Sequence, residues 1–143
     1  MNVKTLQTLL IIAGVLHLCI TSAGIVMTKV LDWRRNLSQL EPLTRHIVWT
    51  HGAFVLLTII AFGVISICCA PSLASGEPLA RAVCAFIAGF WGLRLLIGFT
   101  LFDARPHLTH WRLALAYRTL NAVFVYFVIC YATAAINAPL AVR

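Results

Sequence analysis

Four apolar runs, Leu6 to Met27, Ile47 to Cys69, Leu79 to Phe102 and Leu113 to Ala138, account for most of this chain. Each can cross a hydrocarbon core of about 30 Å, which takes roughly 20 helical residues. Lipid offers no hydrogen bonds, so a run of that length must satisfy its own backbone, and a helix does so. The sequence therefore predicts an all-α fold: a polytopic membrane protein, a bundle of four transmembrane helices forming one domain over residues 1–143. The prolines agree, because Pro42, Pro71, Pro78, Pro106 and Pro139 all fall between or beyond the runs, where a missing N–H does no harm. With 62% hydrophobic and only 10% charged residues, against about a quarter charged in soluble domains, a soluble enzyme is excluded.

The net charge of +7 bears on topology rather than on nucleic acid, which is not an expected partner. Lys29, Arg34, Arg35 and Arg45 lie in the first loop, and Arg105, Arg112 and Arg118 lie in the third loop and the start of the fourth span. The opposite side carries Lys4, Arg81 and Arg143. Basic loops stay cytoplasmic, so both termini are expected outside a bacterial inner membrane. Trp33, Trp49 and Trp111 fall on the basic edge, as an interfacial aromatic belt requires. The first run exceeds the usual apolar core of a signal peptide, and is read as a span.

Within the first loop, Val30, Trp33, Leu37 and Leu40 recur at helical spacing, while Arg34, Arg35, Ser38 and Gln39 take the other side. This predicts a short interfacial amphipathic helix, ended by Pro42. A faint repeat is also visible: Leu31-Asp32-Trp33-Arg34 leaves the first span as Phe102-Asp103-Ala104-Arg105 leaves the third. Leu43-Thr44 precedes the second span as Leu108-Thr109 precedes the fourth. The strings Phe90-Trp91-Gly92-Leu93-Arg94 and Phe102-Asp103-Ala104-Arg105-Pro106 resemble those of uncharacterised small bacterial four-span inner-membrane proteins. That resemblance implies the fold and carries no activity.

Polar groups inside lipid are expensive and mark packing or function. His17 lies near the middle of the first span, flanked at helical spacing by Ala13, Gly14, Thr21 and Gly24, a small-residue face that admits a neighbouring helix. Arg94 lies about eight residues, or roughly 12 Å, from the cytoplasmic end of the third span. Asn121 lies at similar depth in the fourth, with Tyr117 and Arg118 one turn nearer the cytoplasm, and His51 opens the second. If these side chains face inward they form a polar pocket in the cytoplasmic half, in which a cation without a nearby carboxylate invites an anion. Arg94 is then the charge clamp, His17 and Asn121 orient the ligand, and Tyr117, Arg118 and His51 line the mouth.

Other chemistries are weaker. Asp103, His107 and His110 share helical spacing, but Pro106 weakens that helix, and no metal site is assigned. His17 and His51 would be the best haem pair, yet they differ in depth by about six residues, roughly 9 Å, so no cofactor is expected. The five cysteines, Cys19, Cys68, Cys69, Cys84 and Cys130, read first as soft packing residues; Cys68, Cys69 and Cys84 lie toward the outer face, where a bridge from Cys68 or Cys69 to Cys84 is the alternative. No catalytic residue is assigned, and an enzyme is not expected. The leading expectation is a membrane protein binding an anionic or amphiphilic small molecule: a lipid headgroup, a quinone or a carboxylate. Two alternatives stay open, a structural or assembly subunit without a ligand, and a membrane oxidoreductase using haem or the outer cysteines. Ala85, Gly89 and Gly92 suit either a homo-oligomer contact or packing within the chain.

Overall fold

The structure is a computed structural model, and it describes residues 2–30, 32–100 and 111–136. Four long helices dominate: α1 (Val3–Val30), α3 (Pro42–Cys68), α5 (Pro78–Thr100) and α6 (Trp111–Ile136), with short helices α2 (Trp33–Ser38) and α4 (Ala70–Leu73) in the first two loops. All four long helices contain spans apolar and long enough to cross a membrane. The chain is a multi-pass membrane protein of the expected all-α class. The segment holding Asp103, Pro106, His107 and His110, and with it the second half of the faint repeat, lies outside the described residues.

The helices pair as two antiparallel hairpins, α1 with α3 and α5 with α6. Close approach in the first rests on two glycines. A Cβ at Gly14 would stand 2.8 Å from the Gly63 carbonyl oxygen and 2.6 Å from Ile67 Cγ1, and a Cβ at Gly63 would stand 3.1 Å from the Gly14 carbonyl oxygen. At Gly14 only a hydrogen fits without a shift of the backbone opposite, and at Gly63 a Cβ would be tight. In the second hairpin an aromatic stack does the equivalent work: Trp91 lies on Phe124 with ring centroids 4.7 Å apart. At the end that bears α4, Arg81 Nε donates to the Ala135 carbonyl at 2.8 Å, supplying a cation and a donor to the last turn of α6.

Three interhelical hydrogen bonds then tie one hairpin to the other. Trp91 Nε1 on α5 donates to His17 Nε2 on α1 at 3.0 Å. Tyr126 Oη on α6 donates to the Leu9 carbonyl on α1 at 2.9 Å. Ser66 on α3 uses its proton on the Phe62 carbonyl at 2.7 Å, so the Tyr131 hydroxyl of α6 is the donor in the bond between them.

The core is one-sided. Leu6, Leu10, Ala13, Gly14, His17 and Thr21 are the buried residues of α1 among those described, and Phe62, Gly63 and Ser66 those of α3. Burial continues through α4, whose Ala70 and Leu73 plug that end, to Trp91 on α5, and resumes on α6 at Phe124. Among the described residues nothing is buried on α1 beyond Thr21, on α3 before Phe62, on α5 beyond Trp91 or on α6 before Phe124. The four helices therefore pack tightly at the α4 end and stand apart at the end bearing the basic loops.

At that basic end α2 covers the tips of α1 and α3, with Trp33 and Leu37 half-buried and Arg34, Arg35, Ser38 and Gln39 exposed. Trp33 meets Trp49 edge to face at 6.1 Å. The amphipathic helix is present but shorter than expected. Asp32, at φ 44°, turns the chain into it, and it stops at Ser38. Pro42 does not end this helix; it occupies the first turn of α3, where its missing N–H would have had no partner in any case. The second span accordingly begins five residues earlier than its apolar run, at Pro42 rather than Ile47.

Candidate functional site

His17 is fully buried at the junction of the two hairpins. Its Nδ1 lies 2.7 Å from the Ala13 carbonyl, which can only accept, so Nδ1 carries the proton. Nε2 then presents its lone pair to the Trp91 indole N–H, which can only donate. Both ring nitrogens are used and the ring is fixed as a neutral tautomer. Around it the Phe127 ring stacks at 4.0 Å, and Phe62, Tyr131 and Trp91 meet it edge-on. An imidazole so engaged has no lone pair for an iron or a bound ligand, and its role is to key α1 onto α5.

The small-residue face around it holds in part: Ala13, Gly14 and Thr21 are buried with His17, and the Thr21 hydroxyl donates to the His17 carbonyl at 2.9 Å. Gly24 stands in open space, because the helices have parted by that turn.

Arg94 follows Trp91 by three residues and so shares its face of α5, one turn nearer the basic end. It is exposed all the same, because burial on α5 stops at Trp91. Its guanidinium carbon lies 5.6 Å from the centroid of the Phe124 ring, and its Nη1 would be 3.3 Å from a Cβ on Gly98. The side chain thus runs along its own helix toward the basic end, over the aromatic stack of Trp91 and Phe124. Among the described residues no carboxylate pairs with it.

Asn121 is half-buried and its amide nitrogen donates to the Tyr117 carbonyl at 3.0 Å. Tyr117 is half-buried, while Arg118 and His51 are exposed. The six residues singled out from the sequence thus divide. His17 sits within the closed core, while Arg94, Asn121, Tyr117, Arg118 and His51 lie toward the open basic end, outside any shared enclosed cavity with it. Sequence reasoning missed Trp91, Phe62, Phe127 and Tyr131, the ring of aromatics around the imidazole.

A separate groove of about 630 Å³ runs between α1 and α6 in the open half, with walls supplied by Leu16, Ile20 and Ala23 on one side and Leu115, Thr119 and Val123 on the other. It is almost wholly apolar, and neither Arg94 nor Asn121 lines it.

All five thiols are free. Cys84 and Cys130 point into the core whereas Cys68 and Cys69 are exposed, so no bridge closes the second loop. Among the described residues no group of three His, Cys, Asp or Glu side chains is placed to hold a metal. Comparison with protein-family models, curated proteins and solved structures finds no match for this chain.

Proposed function

We propose that this integral membrane protein binds an anionic or amphiphilic small molecule, a lipid headgroup, quinone or carboxylate, at the open basic end of its bundle. The observation that carries this reading is Arg94: a cation on the core-facing stripe of α5, lying on the aromatic floor where the packed core stops, with no carboxylate partner among the described residues. The planar guanidinium supplies paired donors to an anionic head, and Asn121 and Tyr117 on the neighbouring helix add polar groups at similar depth. His17 holds Trp91, the floor on which Arg94 rests, and does not touch the ligand. Arg118 and His51 belong to the rim. The positive loops favour the inner membrane with both termini outside and the open end facing the cytoplasm.

The test compares organic extracts of the wild-type protein and of Arg94→Leu, isolated in mild detergent, by mass spectrometry. A stoichiometric anionic species should be lost selectively from the variant, by about 10- to 100-fold, the range of one charge-assisted bond. Arg94→Lys should lose most of it too. Identical extracts from all three proteins would refute the binding reading.

One observation favours a structural or assembly subunit instead: every buried side-chain nitrogen and oxygen in the described residues already has a partner, as in a bundle whose polar residues serve helix registry alone. Identical extracts would leave that reading standing.

A further inference from the structure

The groove between α1 and α6 goes beyond the Arg94 site. On α6 it extends from Trp111 to Val123, and twelve residues at 1.5 Å rise make about 18 Å, close to the depth of one leaflet of a core about 30 Å thick. Its walls hold small side chains, Ala23 and Cys19 on α1 and Ala116 on α6, that leave a channel between larger neighbours. At its mouth stand an indole, Trp111, and the charged end of the molecule. Lys29, Arg34, Arg35, Arg45 and Arg118 lie on that side, against only Asp32 and Glu41 among the described residues. Arg118 is one residue before the groove-lining Thr119 on α6 and is exposed.

We infer that the α1–α6 groove seats one acyl chain of an anionic phospholipid of the leaflet on the basic side. The chain runs inward from Trp111 toward Val123 and Leu16. The phosphate sits at the edge, where Arg118 and Lys29 can reach it by extending along the helices. An apolar slot accounts for the chain, and the charge imbalance at its mouth selects an anionic over a zwitterionic head.

Cys19 lines this groove and is free, while Cys68 and Cys69 are exposed at the far end of the bundle, so the chain carries both a reporter and its controls. The purified protein in dodecylmaltoside is labelled with N-ethylmaleimide while phosphatidylglycerol or phosphatidylcholine is titrated in, and each thiol is followed by peptide mass spectrometry. Phosphatidylglycerol at about nine times its Kd should slow Cys19 about tenfold, following the fraction of open groove, and leave Cys68 and Cys69 unchanged. Phosphatidylcholine should protect Cys19 less at equal concentration, and Arg118→Gln should abolish that difference while Cys19 remains protectable. Unaltered Cys19 labelling, or equal slowing of all three thiols, would overturn the acyl-chain site. Equal protection by both lipids would overturn the anionic headgroup. Because Arg94 is not in the groove, none of these outcomes repeats the extract comparison.

Discussion

Removing the hydrogen bond between Trp91 and His17 isolates what the buried imidazole contributes. Trp91→Phe keeps an aromatic ring but deletes the indole N–H that reaches His17 Nε2, leaving that acceptor in a site where His17 is 0% and Trp91 2% exposed. An unsatisfied buried acceptor costs about 1–3 kcal/mol, and the smaller ring leaves a void that adds about 1 kcal/mol or more. His17→Leu has the reciprocal effect: the indole N–H is orphaned, and stacking on Phe127 is lost. The double variant removes both polar ends, so its cost should be less than the sum of the singles. The coupling should be about 0.6–1.7 kcal/mol, the range of interhelical bonds measured within membranes. Each protein would be unfolded reversibly in mixed micelles of rising sodium dodecyl sulfate fraction, with helicity and tryptophan emission followed together. Strict additivity would refute the claim that the two side chains form one bonded unit. A Trp91→Phe variant as stable as wild type would refute the burial reasoning as well.

Gly14→Ala should destabilise the bundle by about 1–3 kcal/mol, because its Cβ would meet Gly63 backbone and Ile67 at the helix crossing. Gly24→Ala, in open space, should be neutral or stabilise by up to about 1 kcal/mol through helix propensity; the same micelle titration reads both, and equal effects would show that the hairpin does not depend on the close crossing. A cysteine placed at Ser38, in a background with the native thiols replaced, should resist an impermeant maleimide in intact cells and react after lysis; reaction in intact cells would reverse the proposed orientation.

That there are four long apolar helices was legible in the sequence because length, hydropathy and proline placement are local properties. Pro42 was the exception. It was read as stopping the interfacial helix, although proline also suits the first turn of a helix, and the structure uses it so. His17 stood out as a polar group on a small-residue face, and Ala13, Gly14 and Thr21 confirm that face. Its partner did not stand out, since a tryptophan within an apolar run reads as bulk. The spacing of Phe124, Phe127 and Tyr131 on α6 was the available signal that one face of that helix carries an aromatic stripe. Arg94 shows the limit most clearly. Its register, three residues from Trp91, puts it on the same face of α5 as that buried ring, yet it is exposed and lies over Phe124. The end of burial past Trp91 is a tertiary property, and no local pattern around Arg94 encodes it.

The three bonds that join the hairpins each run between the two halves of the chain. Leu9, His17 and Ser66 belong to the half of the chain made first, while Tyr126, Trp91 and Tyr131 belong to the half made last. When α1 and α3 are already inserted and paired through Gly14 and Gly63, His17 Nε2 still faces hydrocarbon with no donor. Its donor belongs to α5, while the phenols of α6 add second bonds to the Leu9 carbonyl and to Ser66, which already have partners within their own helices. The second hairpin therefore docks on the first in the register that brings an indole and two phenols to those three acceptors together.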